Sequence, residues 1–183
     1  MTTSAPPGLA RFNAADRPDV AALLHAVCTS RAWGAAVADG RPYRHVDALL
    51  DASDAAMAGL TGADLAEAMA GHPPIGRPTP GDATSAREQS GVGDELRAEL
   101  LELNLAYQER HGHVFLICAT GRTGEEMLVA LRRRIGNDTG TEREIVRTEL
   151  GKINRIRLTH LVTAEASDTA EAADTAEAAE GER

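Results

Sequence analysis

The sequence predicts an all-α, single-domain helical bundle of seven or eight helices, and three observations carry that reading. Hydrophobic residues make up 43% of the chain but aromatics only 3%. Alanine and leucine must therefore do most of the packing, which suits close-packed helices better than a sheet of β-branched and aromatic residues. Apolar residues recur at helical spacing, as in Val20, Leu23, Leu24 and Val27. Helix-start patterns and stop glycines punctuate these windows. At 183 residues, the chain is long enough for one domain with a real core.

Residues 1–11 read as a flexible leader. Asp16-Arg17-Pro18-Asp19 opens a helix, with proline tolerated in its first turn. The run from Arg41 to Met57 reads as a turn and then a helix carrying Leu49, Leu50 and Met57. Thr61-Gly62-Ala63-Asp64 starts a short helix that ends near Gly71, with His72 just beyond. Residues 76–84 concentrate Gly, Pro and Thr and read as a loop, after which Ser85-Ala86-Arg87-Glu88 fits a capping box. The clearest helix is 94–110, with Leu96, Leu100, Leu103 and Tyr107 as its buried line. Val114 to Ala119 is a short apolar run, either a buried extended segment or a helix start. Thr123-Gly124-Glu125-Glu126 caps a helix carrying Leu128, Leu131 and Ile135. Thr141-Glu142-Arg143-Glu144 is expected to cap the last, over roughly 142–162.

Residues 164–183 repeat Asp-Thr-Ala-Glu-Ala-Ala and hold seven acids against one arginine. Such a stretch has nothing to bury and reads as a disordered acidic tail. It accounts for most of the formal net charge of −9, so the folded part, 12–163, is nearly balanced. No basic footprint for nucleic acid emerges. Cys28 and Cys118 form neither a disulfide framework nor a zinc pattern. No signal peptide is read at the N-terminus and no apolar run approaches the ~18 residues of a membrane span, so a cytoplasmic protein is expected.

Few residues stand out for chemistry. His72 sits between Gly71 and the prolines Pro73 and Pro74. Pro73 pushes His72 away from helical dihedrals, so the ring is either a fixed turn histidine or an aimed catalytic group. At about 100° per residue, Arg157 falls about 20° from Val146, inside the apolar stripe of the last helix, while Arg155 faces the opposite way. A guanidinium there snorkels, pairs with an internal carboxylate, or lines a pocket and grips an anion. His111 and His113 lack a third ligand at metal spacing, so no metal site is expected. No nucleophile elbow, phosphate loop or dinucleotide fingerprint is present. Met57, Met69, Met127 and Trp33 read as packing.

Four segments occur in order: residues 70–76 (AGHPPIG), 85–93 (SAREQSGVG), 100–122 (LLELNLAYQERHGHVFLICATGR) and 149–161 (ELGKINRIRLTHL). Together with the Trp33 to Arg41-Pro42 stretch, this series resembles the 2-oxo-4-hydroxy-4-carboxy-5-ureidoimidazoline (OHCU) decarboxylase family, from about Phe12 to Val162. It departs from the family at Pro74, where a basic residue is common, and at His111-Gly112, where Phe-Gly is. The resemblance implies an all-helical homodimer that converts OHCU to (S)-allantoin and carbon dioxide in urate breakdown, without cofactor or metal. It implies His72 as proton donor, with Glu88 and Arg157 completing the catalytic set. Substrate contacts would come from Pro73, from Ser85, Ala86, Arg87, Glu88 and Gln89, and from Phe115, Leu116, Ile117, Cys118 and Ala119 through backbone groups. Two other readings remain: a lyase acting on another ureido compound, and a helical ligand-binding module without catalysis.

Overall fold

The computed structural model describes residues 7–72 and 94–163; the side chains of Pro7, Asp94, Glu95 and Arg97 lie outside the description. Among the described residues there are eight helices and no strand: α1 (Pro7–Ala14), α2 (Arg17–Val27), α3 (Arg31–Asp39), α4 (Val46–Ala58), α5 (Gly62–Ala70), α6 (Asp94–His111), α7 (Gly124–Arg134) and α8 (Thr139–Thr163). The all-α expectation holds. No helix among the described residues is long and apolar enough to cross a membrane.

Local chemistry sets most boundaries. Asp16 caps α2 by accepting from the Asp19 N–H, with proline in the first turn. Thr61 with Asp64, and Thr123 with Glu126, form complete capping boxes at α5 and α7. Two boundaries differ from expectation. Residues 7–11, read as leader, belong to α1, which buries Leu9 and Phe12; Pro7 takes the first position, where proline fits a helix, and tertiary burial outweighs the poor helix propensity of Gly8. Gly8 is required there, because a Cβ would stand 2.2 Å from the Val162 carbonyl oxygen of α8. The start of α8 lies earlier than Thr141. Asp138 accepts from both the Thr141 N–H (2.9 Å) and its hydroxyl (2.5 Å), so aspartate takes the cap assigned to threonine.

The 25-residue α8 is the spine. Arg147 donates to the Met57 and Leu60 carbonyls, while Arg155 reaches Asp54 at 2.6 Å, so α4 runs antiparallel along α8. The larger core gathers residues from α1 to α5 around Val146, Leu150, Ile153, Leu158 and Val162. Trp33 is fully buried in it, with its indole N–H on the Ser53 carbonyl, and it serves packing as expected. Arg41 donates to the carbonyls of Phe12 and Ala15 and so closes the end of α1. A smaller core joins α6 and α7 through Leu100, Tyr107, Met127, Leu128 and Leu131.

Between the two cores runs Val114–Ala119, which is not helical. Leu116 and Cys118 enter the larger core, whereas Phe115, Ile117 and Ala119 enter the smaller one. Alternation of this kind is the signature of an extended chain. It settles the ambiguity in the sequence in favour of a buried extended segment.

The two cores are tied by buried polar groups. Glu142, fully buried near the start of α8, accepts from Arg134 of α7 (2.9 and 3.0 Å), from the Tyr107 hydroxyl of α6 (2.5 Å) and from Asn137 (2.6 Å). Burial alone would raise the Glu142 carboxyl, but its bonds to Arg134, Tyr107 and Asn137 hold it below the ordinary value of 4.5. Removing one partner strands a buried charge, at a cost of about 3–5 kcal/mol. Glu142→Ala is therefore expected to lose about that much unfolding free energy in a urea titration followed by helical circular dichroism. Since the folded carboxyl titrates below its unfolded value, its stabilisation is complete above about pH 4.5 and drains away as pH falls further. Glu142→Gln should flatten that acid limb of the stability curve.

Candidate functional site

His72 follows α5 directly. Its N–H donates to the Met69 carbonyl (3.0 Å), and its side chain is half-buried. Gly71 before it has no room for a side chain: a Cβ would stand 2.3 Å from the Thr29 methyl carbon. Thr29 in turn donates its hydroxyl to the Glu67 carbonyl (2.7 Å), one of the open acceptors in the last turn of α5. The α2–α3 connection is thereby seated against the end of α5, and the histidine is presented from a fixed backbone.

Arg157 comes to the same connection from the other side. It is half-buried on α8, and one terminal guanidinium nitrogen donates to the Val27 carbonyl at 3.2 Å. Val27 and Thr29 are two residues apart, at most about 7 Å of chain. The backbone that precedes His72 and the Arg157 guanidinium thus both abut the short Val27-Cys28-Thr29 stretch. The larger core continues from Val27, Cys28 and Met69 to Leu116 and Cys118 of the extended segment.

That segment is held by side chains from four places. Asn104 of α6 accepts from the Phe115 N–H (3.3 Å), Arg134 of α7 donates to the Leu116 carbonyl (2.8 Å), Glu149 of α8 accepts from the Cys118 N–H (2.8 Å), and Arg122 donates to the Cys118 carbonyl (3.1 Å). Arg134 also lies 4.5 Å above the Phe115 ring. The N–H and C=O of Ile117 have no hydrogen-bond partner among the described residues. In an extended chain, a residue's two backbone groups point to one edge and those of its neighbours to the other. The Leu116–Cys118 edge is therefore occupied, and the Ile117 edge offers a donor and an acceptor side by side. Such a pair matches an amide or a urea.

Of the residues singled out in the sequence, the backbone before His72 and the Arg157 guanidinium abut the α2–α3 connection, Leu116 and Cys118 belong to the larger core and Phe115, Ile117 and Ala119 to the smaller one. Pro73, Ser85, Ala86, Arg87, Glu88 and Gln89 lie outside the described residues, as does the expected capping box at 85–88. His111 and His113 pack against Tyr107, with ring centroids 4.4 and 5.6 Å away. His111 spans Thr139 and the Ile135 carbonyl. Burial pushes the His113 pKa down, which keeps that ring neutral.

The sequence reading missed Arg134, Glu142, Glu149 and Asn154. Glu142 and Glu149 were within its reach. On the helical wheel that flags Arg157, they fall about 40° and 60° to the other side of Val146, and both are buried. Asn154, one turn before Arg157, is wholly buried beside the Cys28 thiol. Neither of its carboxamide atoms makes a hydrogen bond of ordinary geometry among the described residues.

Comparison with known proteins follows the same lines. The sequence profile of the OHCU decarboxylase family matches residues 13–159. A uric acid degradation bifunctional protein of Arabidopsis thaliana is 30% identical over 149 residues, 76% of this chain and 46% of its own length. The 2-oxo-4-hydroxy-4-carboxy-5-ureidoimidazoline decarboxylase of Amia calva is 36% identical over 92 residues, 48% of this chain and 53% of its own. The chain thus spans about half the length of these two relatives. A crystal structure of OHCU decarboxylase in the presence of (S)-allantoin superposes with a TM-score of 0.69 at 28% identity, covering 76% of this chain and 96% of that one.

The turn between α2 and α3 yields a chemical prediction. Burial raises the Cys28 thiol above its ordinary value of 9.0, against the opposing pull of the Ser30 backbone, Asn154 and Arg157. The thiolate is the reactive species, so native Cys28 should alkylate at pH 8 slower than a free thiol by roughly 10² or more. Mapping iodoacetamide label onto the Cys28 peptide, with and without denaturant, measures this.

Proposed function

The chain belongs to the OHCU decarboxylase family, and from that premise we propose that it converts OHCU to (S)-allantoin and carbon dioxide. The observation that carries the reading is the meeting of Arg157 and the His72 helix end at one three-residue turn. The larger core, which includes Val27 and Cys28 of that turn, takes in Leu116 and Cys118 of a buried backbone segment whose Ile117 N–H and C=O have no hydrogen-bond partner among the described residues.

The substrate is a small ring bearing a carboxylate, a hydroxyl and a ureido arm. A guanidinium suits the carboxylate or another electron-rich oxygen. The paired Ile117 groups suit the ring amide or the ureido arm. In the reaction, the bond from the ring carbon to the carboxylate breaks and carbon dioxide leaves. The electron pair enters the ring through the adjacent C=N, which serves as the sink. His72 then delivers a proton to the ureido-bearing ring carbon on one face of the enol-like intermediate, the hydroxyl gives up its proton to become the carbonyl, and the ring nitrogen that took the pair gains one; the choice of face sets the S configuration. Glu88 is assigned to the substrate hydroxyl or to orienting His72, Gln89 to the ureido and ring amides, and Pro73 and Ser85 to Arg87 to the wall around them. A homodimer, a cytoplasmic setting and a catalytic domain over 12–163 belong to the same reading.

The decisive experiment incubates the protein with freshly generated OHCU and follows optical rotation. Spontaneous decay gives racemic allantoin, so an enantiomeric excess of the S form is the expected result. A rate and rotation equal to the buffer blank would leave a lyase for another ureido compound or a binding module. Positioned proton transfer contributes about 10²–10⁴ in rate. His72→Asn is accordingly expected to lower kcat by about that factor with the helical spectrum unchanged. Arg157→Lys keeps the charge but loses the planar fork, and should lower kcat/KM by at least about tenfold.

A further inference from the structure

We infer that Glu149 is a positioning residue for this site: its carboxylate fixes the extended segment to the helix that carries Arg157, so that the Ile117 backbone and the guanidinium share one rigid frame. The inference rests on the proposed activity for its catalytic meaning and on geometry for its substance.

Glu149 is buried, and its two oxygens are divided between two tasks. One accepts from the Cys118 N–H at 2.8 Å; the other meets the Lys152 ammonium, three residues along α8, at 2.5 Å. The Cys118 N–H orients the carboxylate, and the half-exposed Lys152 ammonium balances its charge. The Cys118 N–H sits on the occupied edge of the segment, two residues from the Leu116 carbonyl that Arg134 holds. Arg134 is in turn locked to Glu142, one heptad before Glu149 on α8. Two acids of a single helix, about 10.5 Å apart along its axis, thus grip the same backbone edge, one through Arg134 and one directly. With that edge pinned at residues 116 and 118, the peptide groups of Ile117 between them are aimed the opposite way. Arg157 lies two turns beyond Glu149, about 12 Å along α8. One helix therefore sets the distance between the anion anchor and the amide-recognising edge.

A role confined to stability would alter the melting temperature and leave substrate affinity alone. Positioning predicts more. Glu149→Met removes the acceptor that the Cys118 N–H uses. Amide exchange across residues 115–119, measured without substrate, should accelerate at least tenfold. For OHCU turnover, kcat/KM should fall at least tenfold, chiefly through KM, as expected for lost binding contacts. Glu149→Gln keeps an acceptor for Cys118 and should restore both quantities to within about threefold of the unmodified chain. Should Glu149→Met not fold, Glu149→Asp withdraws the acceptor by about 1.5 Å and carries the same prediction at threefold or more. Unchanged exchange, unchanged KM in an active enzyme, or a Gln variant as impaired as the Met variant each overturns the inference. An unmodified chain that leaves OHCU untouched sinks the activity reading instead. The exchange measurement still decides whether Glu149 orders the segment.

Discussion

The architecture hangs on one buried carboxylate. Glu142 is the point at which α6, α7 and α8 meet, through Tyr107, Arg134 and its own helix. A buried ion pair is rarely a net source of stability, because desolvation consumes most of the Coulombic gain. What it supplies is a unique arrangement. Apolar side chains in the smaller core tolerate sliding by fractions of a turn, whereas a guanidinium shared between a carboxylate and the Leu116 carbonyl tolerates almost none. The charge pair thereby fixes the register of the segment that separates the two cores. Tyr107 takes part in the same lock: burial and the Glu142 carboxylate push its hydroxyl well above the ordinary value of 10.0, so it stays a neutral donor throughout the physiological range.

From that register follows the character of the site. Its polar groups are carried by elements that cannot move independently: the end of α5 wedged against Thr29, the middle of α8, and a backbone segment held by Asn104, Arg134 and Glu149. Orientation achieved during folding is entropy that need not be lost again when a substrate binds. The proposed backbone recognition at Ile117 has a further consequence. Substitution at residue 117 itself leaves the N–H and C=O in place, so the side chains that can spoil the edge are those that aim it.

Much of this was legible in the sequence, for reasons that can be traced. Helix starts were readable where one short side chain decides them, as at Asp16, Thr61 and Thr123, because a cap is a local competition for a few N–H groups. At α8 two candidates competed, and Asp138 prevailed over Thr141. Helix α1 was hidden because its sequence is unremarkable and only burial against α8 makes it fold. Arg157 stood out because a cation on an apolar stripe is conspicuous. Glu142 escaped notice because an acid near the start of a helix has an ordinary explanation in capping and the helix dipole, and Glu149 because a mid-helix acid three residues before Lys152 reads as a surface ion pair. Their true partners, Arg134 and the Cys118 N–H, are distant in the fold's logic rather than in periodicity.

Stereochemistry places the heaviest demand on such a site. Choosing one face of a nearly planar intermediate requires at least three anchors that do not lie on a line, since two leave the ring free to flip about their axis. The proposed site would have three of different kinds: a guanidinium on α8, a donor–acceptor backbone edge at Ile117 and the imidazole of His72, which follows α5. They come from segments far apart in sequence, and no single helix could present them, because residues on one helix face lie along a line. Under the proposed activity, the need for non-collinear anchors gives a reason for a feature that packing alone does not explain. A nearly all-helical chain keeps an extended segment at its centre, at the expense of three buried polar side chains to hold it.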